Sequence, residues 1–308
     1  MKSLRYIFLF GIVLLLFSCK KFSGSQEIPA YLKIKPWSFT TNYETEGAAT
    51  QAITDAWVYI NGNYLGCYEF KNHSDGVYVL VPILEKGSNK IRLYPGVKLN
   101  GISSTRVQYP FYKPYEFHKD LEVGKIDSVA PSTTYYSVDS TLMRFKREAC
   151  EDFEDINNIQ LDSTSKSKTR IMQISHRTNP NAWMDPLDTI NRFRSGHVHL
   201  ADSINIFDLA SKELYGLPTV GNYILLEMDY KCTSDFCIGM YFTTTQVEDE
   251  ELYYLKATNT WKKVYLNLSP LITDHFNATS IKYYIRGTIS EGETADYYFD
   301  NLKLIYID

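Results

Sequence analysis

From Ile28 onward this chain has a rhythm that constrains it more than any other feature. Short runs of β-branched, aromatic and aliphatic residues are each cut off by Gly, Pro, Asn, Asp or Ser, and no long segment carries a 3.6-residue period. A strand sends successive side chains to opposite faces, so period-2 alternation marks a half-buried strand. Leu32 and Ile34 alternate with Lys33 and Lys35 in this way. Trp57–Ile60 runs into Asn61-Gly62-Asn63 and on into Tyr64–Tyr68. Asn and Gly accept positive φ, so this segment reads as a hairpin. Further strand runs are Val77–Val81, Lys90–Tyr94, Ile171–Ser175, Gly196–Leu200, Ser203–Leu209, Tyr223–Tyr230, Cys237–Thr243, Trp261–Leu268, Ile281–Ile285 and Tyr297–Ile307. Even spacing of short strands predicts an all-β chain built from sandwiches.

Composition narrows the function classes. With 308 residues, 44% of them hydrophobic, the chain has material for a sizeable core and is neither collagen-like nor wholly disordered. Its net charge of −4 lacks the basic excess of a general nucleic-acid binder, so no nucleic-acid partner is expected. Aromatics make up 15%, 25 of them Tyr, a residue that shows a sugar or a protein both a flat face and a hydroxyl.

The amino terminus carries an address. Lys2 and Arg5 precede an apolar run from Tyr6 to Phe17. Twelve helical residues cover about 18 Å, well short of a ~30 Å hydrocarbon core, so the run reads as a signal h-region rather than a membrane span. It ends in Leu16-Phe17-Ser18-Cys19, which resembles the bacterial lipoprotein lipobox, with bulky Phe17 a departure from the commonest pattern. The resemblance implies cleavage before Cys19 and lipidation of that residue, hence a membrane partner through a lipid anchor. A plain secretory signal with a chance Cys is the alternative. Lys20-Lys21 follow, without the Asp that in lipoproteins is associated with inner-membrane retention. The expected location is therefore the outer membrane, facing either the periplasm or the exterior. Removing residues 1–18 would leave 30 basic against 36 acidic side chains.

The mature chain divides into a lipidated tether (19–27), a small N-terminal β-sandwich (28–125), a linker (126–148) and a second β-domain (149–308). Residues 55–96, with Trp57-Val-Tyr-Ile-Asn-Gly-Asn-Tyr-Leu-Gly66 and Gly87-Ser-Asn-Lys-Ile-Arg-Leu-Tyr-Pro-Gly96, resemble the PEGA or carboxypeptidase-regulatory-like modules, which are generally non-enzymatic. In the second domain three phrases recur in galactose-binding-like jelly rolls, the fold of many carbohydrate-binding modules. They are Phe153-Glu154-Asp155, Thr260–Ser269 and Tyr297–Leu304. The resemblance implies a C-terminal jelly roll. It also implies that Glu154 and Asp300, at the two ends of that domain, help hold a structural Ca²⁺, an ion that takes 6–8 oxygens. The alternative is that Asp300-Asn301 only makes turn and backbone hydrogen bonds.

Other constellations are weighed on their residues. Cys232 and Cys237, separated by Thr-Ser-Asp-Phe, read as a disulfide across a tight turn, as two unpaired thiols, or as a zinc pair. His197 and His199 share a strand face, with Asp202 and His176 as conceivable companions; a polar sheet surface is the favoured reading. The aromatic segment Tyr109-Pro-Phe-Tyr-Lys-Pro-Tyr115 is read as a plug that seals the first sandwich or cements it to the second, ahead of a recognition strip. No nucleophile elbow, His-Glu-x-x-His or glycine-rich phosphate loop occurs, so an enzyme is not expected. Together these readings describe a non-enzymatic cell-envelope lipoprotein whose jelly roll binds a glycan, with Trp183, Tyr241 and Tyr254 as ligand candidates and Trp261 as core. The alternative is a structural or adaptor subunit of an outer-membrane complex.

Overall fold

The computed structural model describes residues 27–138, 143–184 and 192–308. The signal segment, Cys19 and the tether up to residue 26 lie outside the described residues. What is described is all-β: two sandwiches in series, joined by a buried polar seam.

The first sandwich uses β1 (Ala30–Ile34), β2 (Ser38–Phe39), a one-turn helix α1 (Tyr43–Glu46), β3 (Asp55–Ile60), β4 (Asn63–Glu69), β5 (Lys71–His73), β6 (Gly76–Ile83), β7 (Gly87–Lys98), β8 (Arg106–Gln108), β9 (Tyr115–Leu121), β10 (Ile126–Val129) and β11 (Ser132–Thr133). One sheet runs β10-β1-β6-β5 and the other β4-β3-β7-β8, with β9 also paired to β7. Alternation decides which side chains meet between them. Leu32, Ile34, Val79, Val81 and Ile83 from one sheet bury against Ala56, Val58, Ile60, Ile91 and Leu93 from the other. The hairpin β3–β4 closes on Asn61 (φ 50°) and Gly62 (φ 88°), the two positive-φ residues a type I′ turn requires.

The second sandwich uses β12 (Met143–Phe145), β13 (Leu161–Ser163), β14 (Met172–Ser175), β15 (Arg194–Ala201), β16 (Ile206–Ser211), β17 (Ile224–Cys232), β18 (Phe236–Thr243), β19 (Val247–Leu255), β20 (Thr258–Asn267), a short helix α2 (Ser269–Asp274), β21 (Ser280–Thr288) and β22 (Thr294–Ile307). Its sheets run β14-β15-β22-β17-β20, with β12 on the end of β22, and β13-β16-β21-β18-β19. Their facing side chains, among them Phe153, Phe207, Met228, Ile238, Phe242, Leu266, Tyr297 and Phe299, form the larger core.

The segment between the sandwiches takes part in both. β10 pairs parallel to β1, β11 parallel to β2, and β12 antiparallel to β22. The aromatic plug works in the same seam. Tyr109, Phe111 and Tyr112 are buried in a cluster that also takes in Leu225, Tyr265 and Ile305 of the second domain. Tyr109 and Tyr135 donate their hydroxyls to the fully buried Glu227 carboxylate at 2.5 and 2.8 Å, and Lys263 pairs with it at 2.8 Å. Lys303 Nζ donates to the Ala48 carbonyl at 2.6 Å, and Ala52 N–H donates to the Tyr265 hydroxyl at 2.9 Å. A buried charge costs free energy unless it is paired and hydrogen-bonded, and here partners come from both sandwiches. The seam therefore fixes the two domains against each other.

Candidate functional site

The aromatics expected to bind a ligand on the jelly roll do not converge. Tyr241 lies half-buried on the outer face of the second sheet, where its hydroxyl contacts both Asp208 oxygens (3.1 and 3.0 Å) and accepts from Arg286 at 2.9 Å. Arg286 also bridges Asp208 and Asp249, so Tyr241 is committed to an internal ion network. Tyr254 is 67% exposed on β19, its hydroxyl donating to Glu251 three residues earlier. Trp183 sits by the other sheet, its backbone N–H on Ser195 Oγ at 2.7 Å. Trp261 was expected in the core and is not there. Val264 and Leu266 point inward from β20, and Trp261, three residues before Val264, must face the other way. It lies half-buried on the outer face, its indole N–H donating to Asn181 O at 3.0 Å. Asn181 also binds Lys231 and the Tyr298 hydroxyl, so this loop covers that part of the sheet.

The two residues expected to hold calcium, Glu154 and Asp300, are each engaged by protein donors. Glu154 already accepts from the Arg194 backbone N–H (2.8 Å) and guanidinium (3.3 Å). Asp300 takes the Ser195 hydroxyl at 3.0 Å and the Asn301 N–H at 2.7 Å, with Asn301 at φ 50° in a bulge of β22. Burial and the neighbouring Asp229 charge push the Asp300 carboxyl well above its ordinary pKa. Among the described residues no three His, Cys, Asp or Glu side chains gather as a metal set. His197 and His199 do share a face, and both contact Asp296 Oδ1, at 2.8 and 2.9 Å; His176 instead contacts the Ala182 carbonyl at 2.7 Å. Cys232 and Cys237 are free thiols. Their strands belong to different sheets, so the intervening turn crosses the sandwich. Cys232 packs in the core, and Cys237 packs on the far face against Ala210 and Tyr284. Burial raises both thiols, to about 11 and about 12.

The convergent aromatic surface lies on the first sandwich. Because Val58 and Ile60 point inward from β3, Trp57 and Tyr59 point out; because Ile91 and Leu93 point inward from β7, Arg92 and Tyr94 point out. Register sets Trp57 opposite Tyr94, and Tyr59 opposite Arg92 on one side and Tyr64 on the other. The rings touch. Trp57 stacks on Tyr64 at 5.5 Å between centroids, Tyr59 meets Tyr64 at 5.2 Å, and Tyr59 meets Tyr94 edge-on at 5.4 Å. The Cδ1–Nε1 edge of the Trp57 indole lies beside Gly96, where a Cβ would come within 2.9 Å of that ring and 2.7 Å of the Asp55 Cβ.

Two hollows flank Tyr94. One, of about 410 Å³, is lined by Tyr59, Asn61, Lys90 and Arg92. The other, of about 440 Å³, is lined by Trp57, Arg106, Gln108, Tyr136 and Tyr223. The polar rim is internally neutralised. Glu116 pairs with Lys90 at 3.0 Å and Arg92 at 2.7 Å, and hydrogen bonds from these cations hold it below the usual carboxylate range. Arg106 likewise meets Asp55 and Glu69, at 3.2 and 2.6 Å. The surface thus offers flat rings and hydrogen-bonding groups with little net charge. The sequence contained one signal for it, aromatics of outward parity on two strands, but not the register that brings them together.

No protein-family profile matches the chain, and no curated protein matches it. Solved structures similar to it include a carbohydrate-binding module of the β-sandwich superfamily described for promiscuous specificity, 11% identical over 82% of this chain and 85% of that one, TM-score 0.34. The family 11 carbohydrate-binding module from Clostridium thermocellum, in complex with a β-1,3-1,4-mixed-linked tetrasaccharide, is 12% identical over 53% and 94%, TM-score 0.34. The enzymatically active domain of bacteriophage CBA120 tailspike protein 4 is 16% identical over 50% of this chain, which spans only 20% of that one, TM-score 0.34. Likenesses this distant carry no inference to a ligand of this chain.

Proposed function

We propose that this is a non-catalytic, glycan-binding lipoprotein of the cell envelope, and that the glycan lies on the outer sheet of the first sandwich across Tyr59, Tyr64, Trp57 and Tyr94. The observation that carries the reading is that four-ring surface with a hollow on either side of Tyr94. Sugar rings present axial C–H groups that pack on aromatic faces, and Arg92 and Gln108 hold two of those rings in place by donating to the Tyr94 and Tyr59 hydroxyls at 3.2 and 2.7 Å. The balanced charge of the rim favours a neutral polysaccharide over an acidic one. On the jelly roll, by contrast, Tyr241 is tied to Asp208 and Arg286, and Trp261 to Asn181. Anchoring through Cys19, in the outer membrane, belongs to the same proposal and rests on the Leu16-Phe17-Ser18-Cys19 segment.

The test is calorimetric titration of the full mature protein against neutral and acidic polysaccharides. Tyr94→Ala should weaken binding by at least about tenfold, as truncation of an anchor residue does, with little change in melting temperature. Tyr254→Ala should bind as wild type. If no glycan gives heat at millimolar concentration while a stoichiometric envelope protein co-purifies, the adaptor reading replaces this one.

A further inference from the structure

Two turns and the lead-in to β1 meet at one end of the first sandwich because register puts them there. Ala30 pairs with Ile83 and Tyr31 with Ile126, so the lead-in at 27–29, the turn after β6 and the turn before β10 lie side by side. Gly87 pairs with Leu121, which sets the β9–β10 turn beside the start of β7. Gly124 N–H donates to Pro29 O at 3.0 Å, and a Cβ on Gly124 would lie 4.0 Å from Ile28. This end exposes four aliphatic side chains: Ile28 (63%) in the lead-in, Leu84 (53%) and Val123 (46%) in the turns, and Ile126 (61%) at the start of β10. The far end of β7 is covered, Leu99 bridging to Tyr265 of the second sandwich.

We propose that this bare end seats on the phospholipid bilayer that holds the lipid anchor, with Ile28, Leu84, Val123 and Ile126 entering the interface. The inference rests on the reading of Cys19 as the lipidated residue. The chain enters the body at this end, and the segment from Cys19 to Ile28, extended at about 3.4 Å per residue, spans at most roughly 30 Å. A tether that short holds this end at high effective concentration near the lipid, so shallow insertion of a few aliphatic groups is populated without great intrinsic affinity. Seated this way, the strands of the first sandwich point away from the membrane. The aromatic sheet then faces sideways into the surrounding space, and the second sandwich stands distal.

The test uses the lipidated full chain in phosphatidylcholine vesicles containing bromolipid, a short-range quencher of indole fluorescence. Val123→Trp and Leu84→Trp should each add fluorescence that bromolipid quenches, whereas Val247→Trp, on the exposed β19 of the second sandwich, should add fluorescence that it does not. Equal quenching at 123 and 247, or none at either, in protein that floats with the vesicles would overturn the proposal while leaving the anchor intact. Failure of the anchor reads out separately, as no palmitate uptake and no flotation, and the proposal falls with it. Val123→Ser should keep the wild-type melting temperature and monomeric sedimentation in detergent. A wild-type dimer that Val123→Ser dissolves would give this surface to a second copy and overturn the proposal too.

Discussion

Replacing Glu227 with Ala is the sharpest test of how the two sandwiches are joined. The carboxylate is fully buried; one oxygen accepts from Tyr109, the other from Tyr135, and Lys263, itself 2% exposed, pairs at 2.8 Å. Burial works against its charge, but Lys263 and Lys303 outweigh burial and hold its pKa below the ordinary value. Removing one member of a buried pair typically costs about 3–5 kcal/mol, because the other charge is left uncompensated. Each tyrosine hydroxyl left without an acceptor adds roughly 1–3 kcal/mol, less whatever entering water restores. The expected loss is therefore at least about 4 kcal/mol in urea unfolding at pH 7. Glu227→Gln combined with Lys263→Met removes one charge of each sign, leaving buried Lys303 facing buried Asp229, and should recover more than half of it. The sign of the pH dependence is set as well. A carboxylate held below its unfolded pKa stabilises the fold above that pKa, and the contribution fades as pH falls through the folded value. In Glu227→Ala that acid-side fade should be missing. A loss under about 1.5 kcal/mol would mean that the seam is hydrated and the domains are only loosely associated.

Three further outcomes follow from particular residues. Burial raises Glu151 to about 7, so the native state holds a proton that the unfolded chain has already lost. Its contribution is full below about pH 4.5 and disappears by about 7; melting curves of Glu151→Gln should lack that decline. Gly96→Ala should push Trp57 off the strand, cost about 1–3 kcal/mol as overpacking does, and weaken glycan binding with it; unchanged binding would remove Trp57 from the surface. Melting temperatures in excess EDTA and in millimolar calcium should coincide, since Arg194 already neutralises Glu154; a rise with calcium would show an ion set that these residues do not form.

Local chemistry was legible in the sequence where neighbours decide it. The Asn61-Gly62 turn, the inward Leu32 and Ile34, and the strands around Tyr223–Tyr230 and Trp261–Leu268 all follow from alternation and turn residues. What depends on register was not legible. Trp57, Tyr59, Tyr64 and Tyr94 become one surface only because β3 lies between β4 and β7 at a particular offset. Trp261 shows that a family-like phrase does not override strand parity: counting back three from Val264 already places it outside. Cys232 and Cys237 mislead for a related reason, since a four-residue gap looks the same whether the chain turns within a sheet or crosses to the opposite one.

Hydroxyl-radical footprinting of the full mature protein, with and without a saturating bound polysaccharide, locates the glycan because it reads aromatic side chains one at a time. Glycan should protect Trp57, Tyr59, Tyr64 and Tyr94 from oxidation and leave Tyr254 and Trp183 oxidised at their free rates. Protection of Trp183 or Tyr254 with none at Tyr59 and Tyr94 would contradict this and move the ligand to the second sandwich.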